Sequence, residues 1–126
     1  MLKEIKSAQA PAAVGPYSQA IRAGDFVFVS GQLPLDSVSG TIHSADPSVQ
    51  ARQCLTNLKA IAEEAGIELS ATVKTTVLLT DISSFEAVNS VYREFFCAPF
   101  PARACYEVSA LPKGAMVEIE AILFAS

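Results

Sequence analysis

The sequence contains a single histidine, His43, and no tryptophan. One histidine removes most hydrolytic kits that pair an imidazole with a serine or cysteine, and it leaves a Cys/His zinc site short of ligands at usable spacing. His43 follows Gly40-Thr41-Ile42 in a stretch of turn-forming residues, which places it on a solvated loop. The three cysteines, Cys54, Cys97 and Cys105, are odd in number and form no C-x-x-C. That pattern fits reduced thiols rather than a disulfide framework. There is no G-x-S-x-G, no G-x-x-x-x-G-K-[ST] and no G-x-G-x-x-G, so the nucleophile-elbow and phosphate-loop chemistries are absent. No apolar run approaches the ~18 residues of a membrane span. The first residues, Met1-Leu2-Lys3-Glu4-Ile5-Lys6, carry charges where a secretion signal has its apolar core. A cytoplasmic protein without membrane contact is expected.

Charge is also scarce. Only 17% of residues are charged, against 51% apolar, and the net charge is −4. The low charge and high hydrophobicity exclude a disordered chain. Nine basic residues scattered among thirteen acidic ones provide no basic patch for nucleic acid. At 126 residues the chain is expected to be a single domain, residues 1–126. A domain of this size has much surface to solvate and few charges to do it, so a homo-oligomer that buries an apolar face is expected.

Local patterns supply the elements. Two apolar-rich runs, Ser18 to Ile21 and Asp25 to Ser30, flank Ala23-Gly24 and read as a hairpin. Phe26-Val27-Phe28-Val29 is continuously apolar and is expected to be buried on both faces. Gly31 to Pro47 reads as a loop. Asp46-Pro47 caps a helix that runs to about Ala65 and stops at Gly66, with Leu55, Leu58, Ala62 and Ala65 on one stripe. The β-branched run from Val73 to Leu79 predicts a strand. Ser83-x-x-Glu86 has the form of a capping box opening a second helix with Phe85, Val88, Tyr92 and Phe95 on one face. Arg103 to Ser109 and Met116 to Phe124 read as two strands around a Leu111–Ala115 turn. With a short strand near residues 2–6, the pattern predicts an α+β fold: one mixed sheet with two helices on one face. A partner subunit is the simplest cover for the other face.

The chemistry-bearing residues concentrate in the last two strands. Alternation puts Arg103, Cys105, Glu107 and Ser109 on one face, and Glu118, Glu120 and Ile122 on one face of the next strand. If the turn folds these strands together, Cys105 lands near Glu118 and Arg103 near Glu120. Such a cluster could be a set of surface salt bridges, or a two-pronged carboxylate-binding arginine beside a subunit interface.

Six ordered segments then point further: Gly15-Pro16-Tyr17-Ser18-Gln19-Ala20, Ser30-Gly31-Gln32-Leu33-Pro34, Val73-Lys74-Thr75-Thr76-Val77, Phe85-x-x-Val88-Asn89-x-x-Tyr92, Pro101-Ala102-Arg103-Ala104-Cys105 and Val117-Glu118-Ile119-Glu120. Together they resemble the Rid family, of RidA/YjgF type, the enamine/imine deaminases. The resemblance runs from about residue 9 to the end. It implies a chorismate-mutase-like fold, a homotrimer with the sheets inside, and three sites in clefts between subunits. It implies hydrolysis of short 2-enamino and 2-imino acids, such as 2-aminoacrylate and 2-iminobutanoate released by pyridoxal-phosphate enzymes, to 2-keto acids and ammonia. No metal and no cofactor is implied. By the same resemblance Arg103 binds the substrate carboxylate, and Glu118 orients or activates water. Cys105 lines the site and its backbone carbonyl helps to hold the water. Tyr17, Ser30, Gly31 and Asn89 complete the pocket wall. Each residue also has a plainer role open to it: Glu118 as the neutralising partner of Arg103, Cys105 and Cys54 as small packing groups, Tyr17 and Asn89 as structural residues. Two other functions attributed to family members stay open, a chaperone-like binding oligomer and an RNA-acting translation inhibitor. The acidic balance disfavours the latter.

Overall fold

The computed structural model describes residues 1–125. Its backbone follows the order β1 (Lys3–Ile5), β2 (Ala20–Ala23), β3 (Phe26–Gln32), α1 (Pro47–Glu64), β4 (Thr72–Leu79), α2 (Phe85–Phe95), β5 (Ala102–Glu107) and β6 (Val117–Phe124). The eight elements form one six-stranded mixed sheet, ordered β1-β2-β3-β6-β4-β5, with both helices on one face. This is the α+β architecture that the pattern predicts.

The local signals act largely as the sequence implies. Asp46 accepts the Ser48 N–H at 2.8 Å, Pro47 occupies the first helical turn, and Gly66 takes φ 74° just past the end of α1. That left-handed backbone is where a side chain would be strained and glycine is not. The α1 stripe of Ala51, Cys54, Leu55, Leu58, Ile61 and Ala62 is buried against the sheet. The second helix starts differently from expectation. Ser83 lies in a short 3-10 turn, Ile82–Ser84, whose cap is Asp81, and α2 begins after it at Phe85. Asp81 accepts both the backbone N–H and the hydroxyl of Ser83, so that hydroxyl is occupied and the Ser83–Glu86 capping box does not form.

Two further expectations are corrected. Arg103–Ser109 and Met116–Phe124 are not paired as a hairpin. β5 lies parallel to β4 at the sheet edge, and β6 is inserted between β3 and β4, antiparallel to both. The antiparallel partner of β6 that has most to offer is the central apolar β4, whereas β5 returns through the α2 crossover that parallel strands require. The second correction concerns Phe26-Val27-Phe28-Val29. Val27 and Val29 are buried under the helices, but Phe26 is 39% and Phe28 47% exposed. Strand alternation sends them to the opposite face, which no helix covers. There they share an apolar surface with Ile122 and Phe124 of β6.

Strand alternation governs everything that follows. Along β6, Val117, Ile119, Ala121 and Leu123 are buried beneath the helices, while Glu118, Glu120, Ile122 and Phe124 project from the open face. In the row through Thr75, Arg103 and Ala121 the side chains face the helices, as do those of Val77, Cys105 and Ile119. Arg103 and Glu118 therefore lie on opposite faces of one sheet.

Candidate active site

The arginine half of the site is built by α2 over the edge of β5. The Arg103 guanidinium lies 4.8 Å from the ring centroid of Tyr92 and 5.2 Å from that of Phe85. Its Nη1 donates to Asn89 Oδ1 at 2.7 Å. Phe85, Asn89 and Tyr92 recur at helical spacing, so one face of α2 carries both rings and the amide. Tyr92 is itself anchored: its hydroxyl and Thr75 Oγ1 share a 2.7 Å hydrogen bond in the core. Burial pushes the Tyr92 phenol above its ordinary pKa, with the Thr75 hydrogen bond and the charge of Arg103 opposing the shift. Cation–π contact and one amide acceptor hold the planar fork in place and leave its other nitrogens without a carboxylate partner among the described residues. Beside it opens a cavity of about 380 Å³ lined by Asn89, Tyr92, Arg93, Phe100, Pro101 and Arg103.

Cys105 sits two residues along β5, half-buried against the core. Burial raises its thiol pKa, and the nearby Arg103 charge opposes that only in part. The thiol is therefore a poor thiolate at neutral pH, which fits a lining group rather than a nucleophile. Cys54, fully buried in α1, is raised well above its ordinary range by desolvation.

The carboxylate half lies on the other side of the sheet. A cleft of about 640 Å³ is lined by Tyr17, Ser30, Gly31, Glu118 and Glu120, with Leu33, Leu35 and Lys113 around them. Burial raises the Glu118 carboxyl above its ordinary pKa, and the like charge of Glu120 raises it further. Gly31 occupies the β3 irregularity between Val29 and Gln32, where the pairing with β6 shifts. A Cβ there would run into the Glu118 carboxylate, and even Glu118 Cδ would be 2.8 Å away. Glycine at this position makes room for the acid. Ser30 is held by its own backbone neighbourhood, its hydroxyl donating to Ser18 O at 2.6 Å. Tyr17 rides on the loop before β2, half-exposed above the cleft.

The seven sequence-predicted residues thus divide into two groups. Arg103, Asn89 and Cys105 gather on the helix side of the β5 edge; Tyr17, Ser30, Gly31 and Glu118 gather around the open-face cleft. The expected proximities of Cys105 to Glu118 and of Arg103 to Glu120 do not occur within the subunit, because β4 separates the strands and the side chains point to opposite faces. Sequence reasoning missed the clamp role of Phe85 and Tyr92, which it assigned to core packing. The signal was their spacing about Asn89 on the same helix face.

These features define a class: a mixed α+β sheet with helices on one side, an unpaired arginine at one edge and a half-buried glutamate on the open face. A family model described as endoribonuclease L-PSP matches residues 7–124. A RutC family protein, y4sK, of Sinorhizobium fredii is 62% identical over 123 residues, covering 98% of each chain. The 2-iminobutanoate/2-iminopropanoate deaminase of Bos taurus is 50% identical, covering 95% of this chain and 88% of its own. The crystal structure of RidA from an Antarctic Psychrobacter superposes with a TM-score of 0.93 at 46% identity, over 97% of this chain and 98% of its own. The chain belongs to the Rid family, of RidA/YjgF type.

Proposed function

We propose that this protein hydrolyses short 2-imino and 2-enamino acids to 2-keto acids and ammonia, at sites shared between subunits of a homotrimer. The observation that carries the reading is the Arg103 guanidinium, pinned by Phe85, Tyr92 and Asn89 yet free of any carboxylate among the described residues. A preset, unpaired fork is suited to a small carboxylate, which it can grip with two parallel hydrogen bonds. The deaminase names of relatives such as the bovine protein support the same chemistry.

The residues divide the reaction between them. Arg103 holds the substrate carboxylate and so fixes the position of the adjacent C=N carbon. The protonated imine is already electrophilic. Water adds to that carbon while Glu118 orients it and accepts its proton; Glu118 returns that proton to the carbinolamine nitrogen, and the hydroxyl gives up its own as the C–N bond breaks and ammonia leaves. An enamine first takes a proton at carbon and then follows the same course. The raised pKa of Glu118 moves its basicity toward neutrality, where a general base works best. Cys105 lines the pocket, and its backbone carbonyl is a candidate water acceptor. Tyr17, Ser30 and Gly31 shape the wall around Glu118. Because such imines also hydrolyse unaided, the barrier reduction required is small on the enzyme scale.

The opposite-face placement of Arg103 and Glu118 supports assembly. One subunit brings the arginine half and its neighbour the glutamate half, and the apolar patch of Phe26, Phe28, Ile122 and Phe124 supplies surface to bury between them. RNA cleavage, suggested by the description of the family model, is disfavoured by the net charge of −4 and by the two glutamates on the open face.

The test couples a threonine dehydratase, which releases 2-iminobutanoate, to the purified protein and follows imine capture by semicarbazide. Faster loss of imine in its presence, abolished by Arg103→Ala, is the expected result. Imine loss at the uncatalysed rate with the wild-type protein overturns the reading.

A further inference from the structure

The cavity beside Arg103 contains a second guanidinium. Arg93 lies one helical turn beyond Asn89 on α2 and lines the same space of about 380 Å³. Two of the four arginines of an acidic protein therefore face one small cavity, and no carboxylate lines it. Neither guanidinium has an ion-pair partner among the described residues, whereas Arg52, on the neighbouring helix, is paired with Glu94 at 2.8 Å. Two cations left unneutralised in a shared cavity repel each other unless an anion joins them. A monocarboxylate satisfies only one of them.

The two arginines are also held differently. Arg103 is fixed between rings, as a group that positions a reacting centre should be. Arg93 is exposed, at the end of a long flexible side chain in the last turn of α2. Such a group can reach a second anionic group at varying distance from the first without setting the geometry of the reaction. Phe100 and Pro101 supply an apolar wall for the carbon chain between the two charges.

We infer that Arg93 extends the substrate range of this site to dicarboxylic 2-imino acids, by binding the distal carboxylate while Arg103 binds the one next to the imine. This rests on the deaminase reading. The reaction is the same hydrolysis: water adds at the imine carbon, the C–N bond breaks, and a dicarboxylic 2-keto acid and ammonia result with no redox change. The class of reaction that supplies such a substrate is the two-electron oxidation of an acidic amino acid at its amino-bearing carbon.

The test compares the wild-type protein, Arg93→Gln and Arg93→Lys on two imines generated in situ by amino acid oxidases, one from glutamate and one from a neutral amino acid. Semicarbazide capture reads the residual imine. The quantity measured is the ratio of kcat/KM for the dicarboxylic imine to that for the monocarboxylic one. Arg93→Gln should lower this ratio about threefold to tenfold, mostly through KM, and Arg93→Lys should restore most of it. An unchanged ratio in Arg93→Gln overturns the inference. So does a fall in both activities together with dissociation of the oligomer, which would make Arg93 an interface ion-pair residue. Calorimetric binding of 2-oxoglutarate and 2-oxobutanoate separates this inference from the deaminase reading. If neither imine is turned over, that reading fails, and an Arg93-dependent preference for 2-oxoglutarate still supports the two-arginine site. Equal binding of the two keto acids by wild type and Arg93→Gln overturns it.

Discussion

Gln19→Leu should be among the most damaging single changes outside the reacting groups. The Gln19 side chain is only 4% exposed and acts as an internal staple for the segment that precedes β2. Its Oε1 accepts the Ser7 N–H at 2.6 Å, and its Nε2 donates to Pro11 O at 2.7 Å, to Ser7 O at 3.2 Å and to Ala10 O at 3.4 Å. Leucine keeps roughly the bulk and removes all four bonds. Ser7 is buried, so its N–H and C=O lose their partners without gaining water. Each buried group left unpaired costs about 1–3 kcal/mol, and the added apolar burial offsets part of it, for a net loss of about 2–4 kcal/mol. That is a large fraction of a typical domain stability of about 5–15 kcal/mol. The assay is urea unfolding at fixed protein concentration, because the stability of an oligomer depends on concentration. The midpoint should fall with little change in slope. The released segment carries Ala12, Val14 and Tyr17, which line the Glu118 cleft, so KM should rise in the same variant. A loss below about 0.5 kcal/mol would refute the staple argument, since that is the range of an ordinary surface substitution.

Three other predictions can be checked with the same material. Gly31→Ala should cost within about 1 kcal/mol in urea unfolding, because the group in its way is the movable end of Glu118, yet should lower kcat about tenfold or more by displacing that carboxylate; unaltered kcat would contradict it. Tyr92→Phe should destabilise by about 1–2 kcal/mol by stranding the buried Thr75 hydroxyl, while Tyr92→Leu, which also removes the ring beneath Arg103, should reduce kcat/KM further. The third prediction concerns pH. The Glu118 carboxyl is raised by burial and by the like charge of Glu120. It works as a base only when ionised, so hydrolysis is lost as pH falls through a pKa above the ordinary glutamate value of about 4.3. The pH profile of kcat/KM should therefore show an acidic limb above that value, and Glu120→Gln, which removes the like charge, should move the limb to lower pH. An identical pH profile in the variant would argue against the coupling.

Much of the fold was legible because its signals are local. Asp46-Pro47 and Gly66 bound α1 through cap and φ, each a property of a few neighbouring residues. Strand adjacency is a different kind of fact. A short turn between the last two strands suggests a hairpin, but β6 is drawn between β3 and β4 by the apolar faces of both, and nothing within residues 103–124 records that. The same non-local fact hid the layout of the site. Arg103 and Glu118 stand out in the sequence as candidates, and their parities along each strand are right, but which face each parity means depends on where the helices pack. The exposure of Phe26 and Phe28 follows from that face too: their surroundings are set by whatever covers the open sheet, which the chain does not cover for itself.

The central claim is that an arginine half from one subunit meets a glutamate half from another, and subunit mixing tests it most directly. Arg103→Ala and Glu118→Gln proteins, each inactive alone, are unfolded together at equal concentration and allowed to reassemble. If each site takes Arg103 from one chain and Glu118 from its neighbour, random mixing gives about a quarter of the sites both intact groups, and about a quarter of the wild-type imine hydrolysis should return. If both groups come from the same chain, no mixed site is complete, and a mixture as inactive as its parents would contradict the account.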